Sequence, residues 1–133
     1  MINKSKKILT EISAGELLDK ISILEIKLLK IKDKESLLEI NKEYESLKKA
    51  KNANIQLNKE LGVLFNQLKE INLKLWDIED DKRLCEKNSD FGEKFIKLSR
   101  DVHFLNDNRA KIKLEINNHS DSKIKEIKEY TNY

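Results

Sequence analysis

The sequence contains no proline and only three glycines, Gly15, Gly62 and Gly92, in 133 residues. Tight turns draw heavily on both residue types, so their scarcity excludes a strand-rich fold and favours long helices. One cysteine, Cys85, rules out an intramolecular disulfide; it is expected to be a small buried apolar group in a reducing compartment. No run approaches the roughly eighteen uncharged residues of a membrane span, and Met1 to Ile12 lacks the apolar stretch of a signal peptide. No membrane insertion is expected, and we place the protein in the cytoplasm. Charge of neither sign dominates: 27 basic residues face 24 acidic ones, interspersed along the chain. A nucleic-acid binder concentrates positive charge on one face, and the short clusters Lys4, Lys6, Lys7 and Lys48, Lys49, Lys51 do not amount to one, so nucleic acid is not an expected partner.

What is present is a charge-rich alternation of Leu, Ile, Lys and Glu, the composition of bundles and coiled coils. Ser13-Ala14-Gly15-Glu16 has capping-box spacing, with Ser13 accepting from the Glu16 amide while Glu16 reaches back. It opens a first helix over about 14–32, whose stripe Leu17, Ile21, Leu24, Leu28 and Ile31 is widened by Leu18, Ile26 and Leu29. Asp33 caps a second helix over about 34–51, with seam Leu37, Ile40, Tyr44 and Leu47, forming an antiparallel hairpin with the first. The apolar stepping slips around Lys51 to Asn54, which predicts a bend or short break, with an uninterrupted helix as the alternative. A third helix over about 53–87 carries the heptad line Leu57, Leu61, Leu64, Leu68, Ile71, Leu75 and Ile78. Asp90 and Glu93 repeat the capping spacing before a fourth helix over about 91–118, whose apolar line Phe91, Phe95, Leu98, Val102, Leu105, Ile112 and Ile116 is interrupted by Arg109. The fold class is therefore all-α: one domain, an elongated antiparallel bundle of about four helices. It is flanked by a short extended N-terminal arm and a short C-terminal tail, a docked helix or strand in which Ile124, Ile127 and Tyr130 share a face.

Chemistry is sought where ions interrupt apolar seams. Glu25 falls within the apolar arc of the first helix between Leu18, Ile21 and Leu29, and Arg109 sits in the seam of the fourth. An unpaired buried ion costs several kcal/mol, so each needs a partner. Asn72, Trp76, Glu79, Arg83 and Glu86 share one flank of the third helix, and Asn106, Arg109, Lys113 and Asn117 line up on the fourth. Glu25, Glu79, Arg83, Asn106, Arg109 and Lys113 are expected to converge beside Trp76. Such a cluster reads either as an ion-pair network fixing helix register or as a site in which Arg83, Arg109 and Lys113 hold a phosphate or carboxylate and Glu25 or Glu79 serves a hydroxyl. Trp76 reads as core or as a stacking platform. Glu79, Asp80 and Asp81 point around their helix as a solvated run, His103 and His119 lack a second ligand at metal spacing, and no glycine-rich phosphate loop occurs. No metal or cofactor is expected.

Two segments, Ser13 to Lys27 and Leu75-Trp76-Asp77-Ile78-Glu79-Asp80 followed by Arg83 and Glu86, resemble an uncharacterised family of short bacterial all-helical proteins, a domain of unknown function. Asp90-Phe91-Gly92, Phe95-Ile96, Asn106-Asp107-x-Arg109-Ala110, Lys113 and Ile116-Asn117 extend the resemblance over most of the chain. Members are often encoded near glycosyltransferases and other surface-polysaccharide genes, which implies sugar or sugar-nucleotide chemistry. The resemblance supplies no catalytic residue, and Phe104 stands near a position where the family often has tyrosine, so no phenolic role is expected there. The functional expectation is binding of a small anionic ligand (sugar phosphate, nucleotide sugar or carboxylate) through Glu25, Trp76, Glu79, Arg83, Asn106, Arg109 and Lys113. The competing expectation is a structural helical homo-oligomer, or an adaptor for a glycosyltransferase-like partner. A homodimer pairing through the seam of residues 57–78 is expected in either case.

Overall fold

The computed structural model describes residues 7–133; the first part of the predicted arm, with Lys4 and Lys6, lies outside them. Four helices follow in order: α1 (Ala14–Lys30), α2 (Lys34–Asn54), α3 (Lys59–Lys87) and α4 (Glu93–His119). Among the described residues there is no strand, and no helix is long and apolar enough to cross a membrane.

Local chemistry accounts for the helix ends. The Ser13 side chain accepts from the Glu16 amide at 3.1 Å, and Asp33 accepts from both the amide (2.9 Å) and hydroxyl (2.7 Å) of Ser36, which lowers the Asp33 pKa. The predicted break is real but falls later: α2 runs to Asn54, and Asn58 caps α3 by accepting from the Leu61 amide at 2.9 Å. Leu57 therefore belongs to the connection rather than the heptad line. At the other end of α3, Ser89 takes the left-handed conformation (φ 51°), and the Asp90 amide donates back to the Cys85 carbonyl at 2.8 Å, a C-terminal cap of the Schellman type. The Asp90 carboxylate accepts from Gly92 instead of capping α4, which begins at Glu93 with no side-chain cap. Phe91, expected in the seam of α4, thus sits before the helix and is exposed.

The core gathers Leu18 of α1, Leu61, Leu64 and Leu68 of α3, and Ile116 of α4, with Phe65 and Ile112 packed against them. α1 touches all three other helices, α3 pairs with α4, and α2 packs along α1, reaching α3 through Lys51, whose amine lies 5.8 Å from the centre of the Phe65 ring. This explains why the central helix is buried almost all round at its N-terminal end, whereas α2 has no buried residue. Its seam Leu37, Ile40, Tyr44 and Leu47 is only half-buried. Two expectations for the end of α1 fail together: the helix stops at Lys30 rather than near residue 32, and Leu29, in its last turn, is 73% exposed. The heptad line of α3 packs inside the chain through Leu61, Leu64 and Leu68, while Ile71, Leu75 and Ile78 are half-buried.

Over the described residues the N-terminal arm is extended as expected, with Ile8 and Leu9 88% and 89% exposed. The tail from Asp121 onward forms neither helix nor strand, and Ile124, Ile127 and Tyr130 face solvent. It is held by polar contacts instead: the Ala14 amide donates to Ser122 Oγ at 3.0 Å, Lys113 binds Glu126, and the Tyr133 hydroxyl donates to Asp107. Cys85 is buried as a free thiol.

Candidate functional site

The polar centre of the molecule lies where α1 crosses α3 and α4. Gly15, Asp19, Ser22 and Ile26 step by four, three and four along α1, and this narrow stripe meets the other two helices. Asp19 is 2% exposed. Arg109 of α4 grips it from Nε to Oδ1 (3.0 Å) and from Nη2 to Oδ2 (2.5 Å), the bidentate geometry that makes guanidinium–carboxylate pairs strong. Asn72 of α3 donates from Nδ2 to Asp19 Oδ1 (2.8 Å) and to Ser22 Oγ (2.7 Å), and Ser22 returns its own proton to the Asp19 carbonyl (2.8 Å). One turn away, Lys113 Nζ lies 2.9 Å from Glu16, 2.8 Å from Glu126 and 3.8 Å from Asp19. Asn117, 1% exposed, completes the layer by accepting the Gly15 amide at 2.7 Å.

These contacts set the charge states. Arg109 is held protonated by its hydrogen bonds to Asp19, against the cost of burial. Burial opposes the charge on Lys113, but the hydrogen bonds to Glu126 and Glu16 and the field of Asp19 outweigh it, so the amine titrates above the ordinary lysine value. Lys113 in turn draws the Glu126 carboxyl below the ordinary glutamate value. The sign of the linkage follows: Glu126 stabilises the docked tail above the ordinary glutamate range, and that stabilisation is lost as pH falls through its lowered pKa. In a carbon-detected NMR titration Glu126 is expected to titrate below the roughly 4.3 of a free glutamate, and Lys113→Met raises it toward that value, with Lys128 supplying the remaining, smaller depression. A Glu126 midpoint at or above the free value contradicts the docking of the tail by this pair.

The predicted site residues are divided by the fold. Arg109 and Lys113 do enter the interior network, but Arg109 pairs with Asp19 and Lys113 with Glu16 and Glu126, neither with Glu25. Glu25 lies on a separate edge of α1, where Lys69 Nζ is 3.2 Å away and the Tyr44 hydroxyl donates at 3.4 Å. Glu79 and Arg83 pair with each other at 3.4 Å on the surface, and Asn106 makes no hydrogen bond to either group. Asp19, Asn72, Glu16 and Glu126 had not been singled out as site residues. The legible signal for Asp19 was its place between Gly15 and Ser22 on a helix otherwise apolar toward its neighbours. Glu16 was assigned to the capping box, yet its carboxylate goes to Lys113.

Beside this network a cleft of about 450 Å³ opens between the C-terminal half of α1 and the α3–α4 pair. Ile23, Ile26 and Leu75 give it an apolar lining, and Trp76, Glu79, Asp80, Arg83, Asn72 and Arg109 border it. Four of the seven predicted ligand residues, Trp76, Glu79, Arg83 and Arg109, thus line one cavity. Asn72 and Arg109 connect it to Asp19. Arg109 spends Nε and Nη2 on Asp19, while Nη1 has no acceptor among the described residues, and the Asn72 carbonyl oxygen has no donor. The cleft therefore offers a flat aromatic surface, the guanidinium of Arg109 pinned by Asp19, the exposed guanidinium of Arg83 bonded to the Glu79 carbonyl (3.1 Å) and carboxylate (3.4 Å), and acceptors for hydroxyls. Among the described residues no three His, Cys, Asp or Glu side chains gather at metal-binding distance.

No curated protein and no solved structure matches the chain. The sequence profile of a family of unknown function, DUF6165, matches residues 8–133, and the chain belongs to that family.

Proposed function

We propose that the cleft beside Trp76 binds a small ligand bearing both an anionic group and hydroxyls, with a sugar phosphate or nucleotide sugar as the best chemical match. The observation that supports it is Arg109: a buried carboxylate pins its guanidinium at the border of an apolar cavity while one nitrogen stays unspent. A guanidinium held this way loses little side-chain entropy when an anion arrives. Arg83 is exposed and bound to Glu79 at 3.4 Å, and an exposed pair of that kind is worth about 0.5 kcal/mol, so it can swing to a phosphate at small cost. Glu79 and Asp80 suit hydroxyl groups and disfavour a ligand that is purely anionic, which places simple carboxylates below sugar phosphates. The interior cluster itself is not the site: Lys113 is enclosed by three carboxylates and has no charge to spare for an anion. The implied link to surface-glycan synthesis makes nucleotide sugars the first compounds to test.

Trp76 is the only tryptophan, so its fluorescence reports the cleft. Titration with nucleoside diphosphate sugars, hexose phosphates and inorganic phosphate is expected to change its emission saturably for at least one phosphorylated sugar. Arg83→Met is expected to weaken that binding about tenfold, as loss of a charge-assisted hydrogen bond does. Unchanged emission and an unchanged thermal midpoint across the whole set would overturn this reading and leave the adaptor role.

A further inference from the structure

α1 ends at Lys30, which pairs with Asp77 of α3 at 3.2 Å. Beyond that level the helices α3 and α4 continue as a hairpin with little besides each other for support. Their shared seam, Cys85 with half-buried Ile78, Phe95, Leu98, Val102 and Leu105, is a two-helix seam. Two helices alone bury too little apolar surface to be a natural end state for so hydrophobic a pair. Large side chains remain outside it: Leu84 is 48%, Phe91 52%, Ile96 55% and Phe104 46% exposed, even though Tyr133 packs edge-on against Phe104 with ring centres 5.7 Å apart. Near the base a groove of about 440 Å³ runs between α3 and α4 over Ile78, Phe104 and Leu105, rimmed by Asp77, Asp101 and Lys74.

The charges of this hairpin are segregated along its length. At the base, residues 77–81 and 101–107 hold six acidic side chains, Asp77, Glu79, Asp80, Asp81, Asp101 and Asp107, and no lysine or arginine; Asp77, Glu79 and Asp101 pair within the chain with Lys30, Arg83 and Lys97, as exposed pairs that exchange readily. At the tip, residues 82–100 hold six basic side chains against three acidic ones. A two-fold axis across the hairpin would bring the tip of one copy to the base of another, opposite charge to opposite charge, with Ile96 and Lys97 of one chain over the groove of its partner. A parallel pairing would set acid on acid and base on base.

We propose that the α3–α4 hairpin is a homodimerisation arm that packs antiparallel, tip to base, against the same hairpin of a second copy to close a four-helix bundle. Glu79, Asp80 and Arg83 border the cleft beside Trp76 as well as adding to the charge of the hairpin, but the groove over Ile78 and Leu105 and the residues changed in the test below lie outside that cleft. The pairing surface moves from the heptad line of α3, whose Leu61, Leu64 and Leu68 pack inside the chain, to one that the fold leaves uncovered.

Sedimentation equilibrium on the full chain, with helicity monitored by circular dichroism, tests it. A monomer–dimer equilibrium is expected whose dissociation constant rises at least tenfold in Lys97→Glu/Arg100→Glu, and likewise in Asp77→Lys/Asp101→Lys. Combining all four substitutions in one chain restores association, because the charges that meet across the interface, at 97 and 100 of one chain and at 77 and 101 of its partner, have exchanged sign locally. Ile96→Ser weakens the dimer without changing its salt dependence. A chain that stays monomeric at every concentration overturns the proposal. So does a dimer indifferent to tip and base reversals, which would lie on another face, or a fourfold variant that fails to recover, which would exclude the antiparallel register.

Discussion

Asp19→Ala is expected to lower the free energy of unfolding by about 3 kcal/mol at neutral pH, the lower end of the range for a broken buried ion pair. Asp19 is the single acceptor on which Arg109 and Asn72 converge, and it faces Lys113 as well. Removing it strands a guanidinium that cannot discard its proton and leaves the buried Asn72 amide with Ser22 as its one remaining acceptor. The cost stays at the lower end because the Arg109 side chain is 27% exposed and water can reach part of it. The double variant Asp19→Ala/Arg109→Met is expected to cost less than the two single changes added together, since no uncompensated ion then remains. Urea titrations followed at 222 nm measure all three. A loss under about 1 kcal/mol for Asp19→Ala would show that the network is not what joins α1 to the α3–α4 pair.

The second large effect concerns two glycines with opposite expected signs. Alanine is normally favoured over glycine inside a helix by about 0.5 to 1 kcal/mol. At Gly62 a Cβ would meet nothing within 4 Å, so Gly62→Ala is expected to raise stability by about that amount. At Gly15 the same atom would sit 2.5 Å from the Lys113 carbonyl oxygen and 2.8 Å from Asn117 Oδ1. The first contact is with helix backbone, which cannot swing aside, so α1 must shift away from α4. That movement stretches the Gly15–Asn117 hydrogen bond and loosens the neighbouring ion pairs. Gly15→Ala is therefore expected to destabilise by about 2 to 3 kcal/mol, the scale of overpacking a tight contact. Equal midpoints for the two variants would mean that α1 and α4 do not approach as closely as the structure shows.

Much of the secondary structure could be read locally. Ser13 and Asp33 cap the helices they were expected to cap, since an N-cap needs only a side chain and an amide three residues on. Asp90 illustrates the limit: it has the same spacing as Ser13, but the chain turns at Ser89 and the carboxylate is taken by the Gly92 amide, so α4 starts later. The tail shows another. Ile124, Ile127 and Tyr130 look like a docking face, yet Lys113 offers a stronger hold through Glu126, and the apolar side chains are left outward. That outcome depends on where Lys113 sits in three dimensions, which spacing along the chain does not encode.

The sequence by itself determined that this protein is a proline-free assembly of four helices with ions in its seams, because helix propensity, capping and apolar period act over a few residues. It also marked Trp76, Glu79, Arg83 and Arg109, which one cleft brings together. Only the tertiary structure decided which carboxylate answers Arg109. Glu25 and Asp19 lie on the same helix and differ by less than two turns. The choice fell on Asp19 because Gly15 and Ser22 flank it, and their small side chains let α4 and α3 come close enough for Arg109 and Asn72 to reach a carboxylate shielded from water. Electrostatic pairing at that strength requires a short distance and a dry setting together, and both are properties of how helices cross.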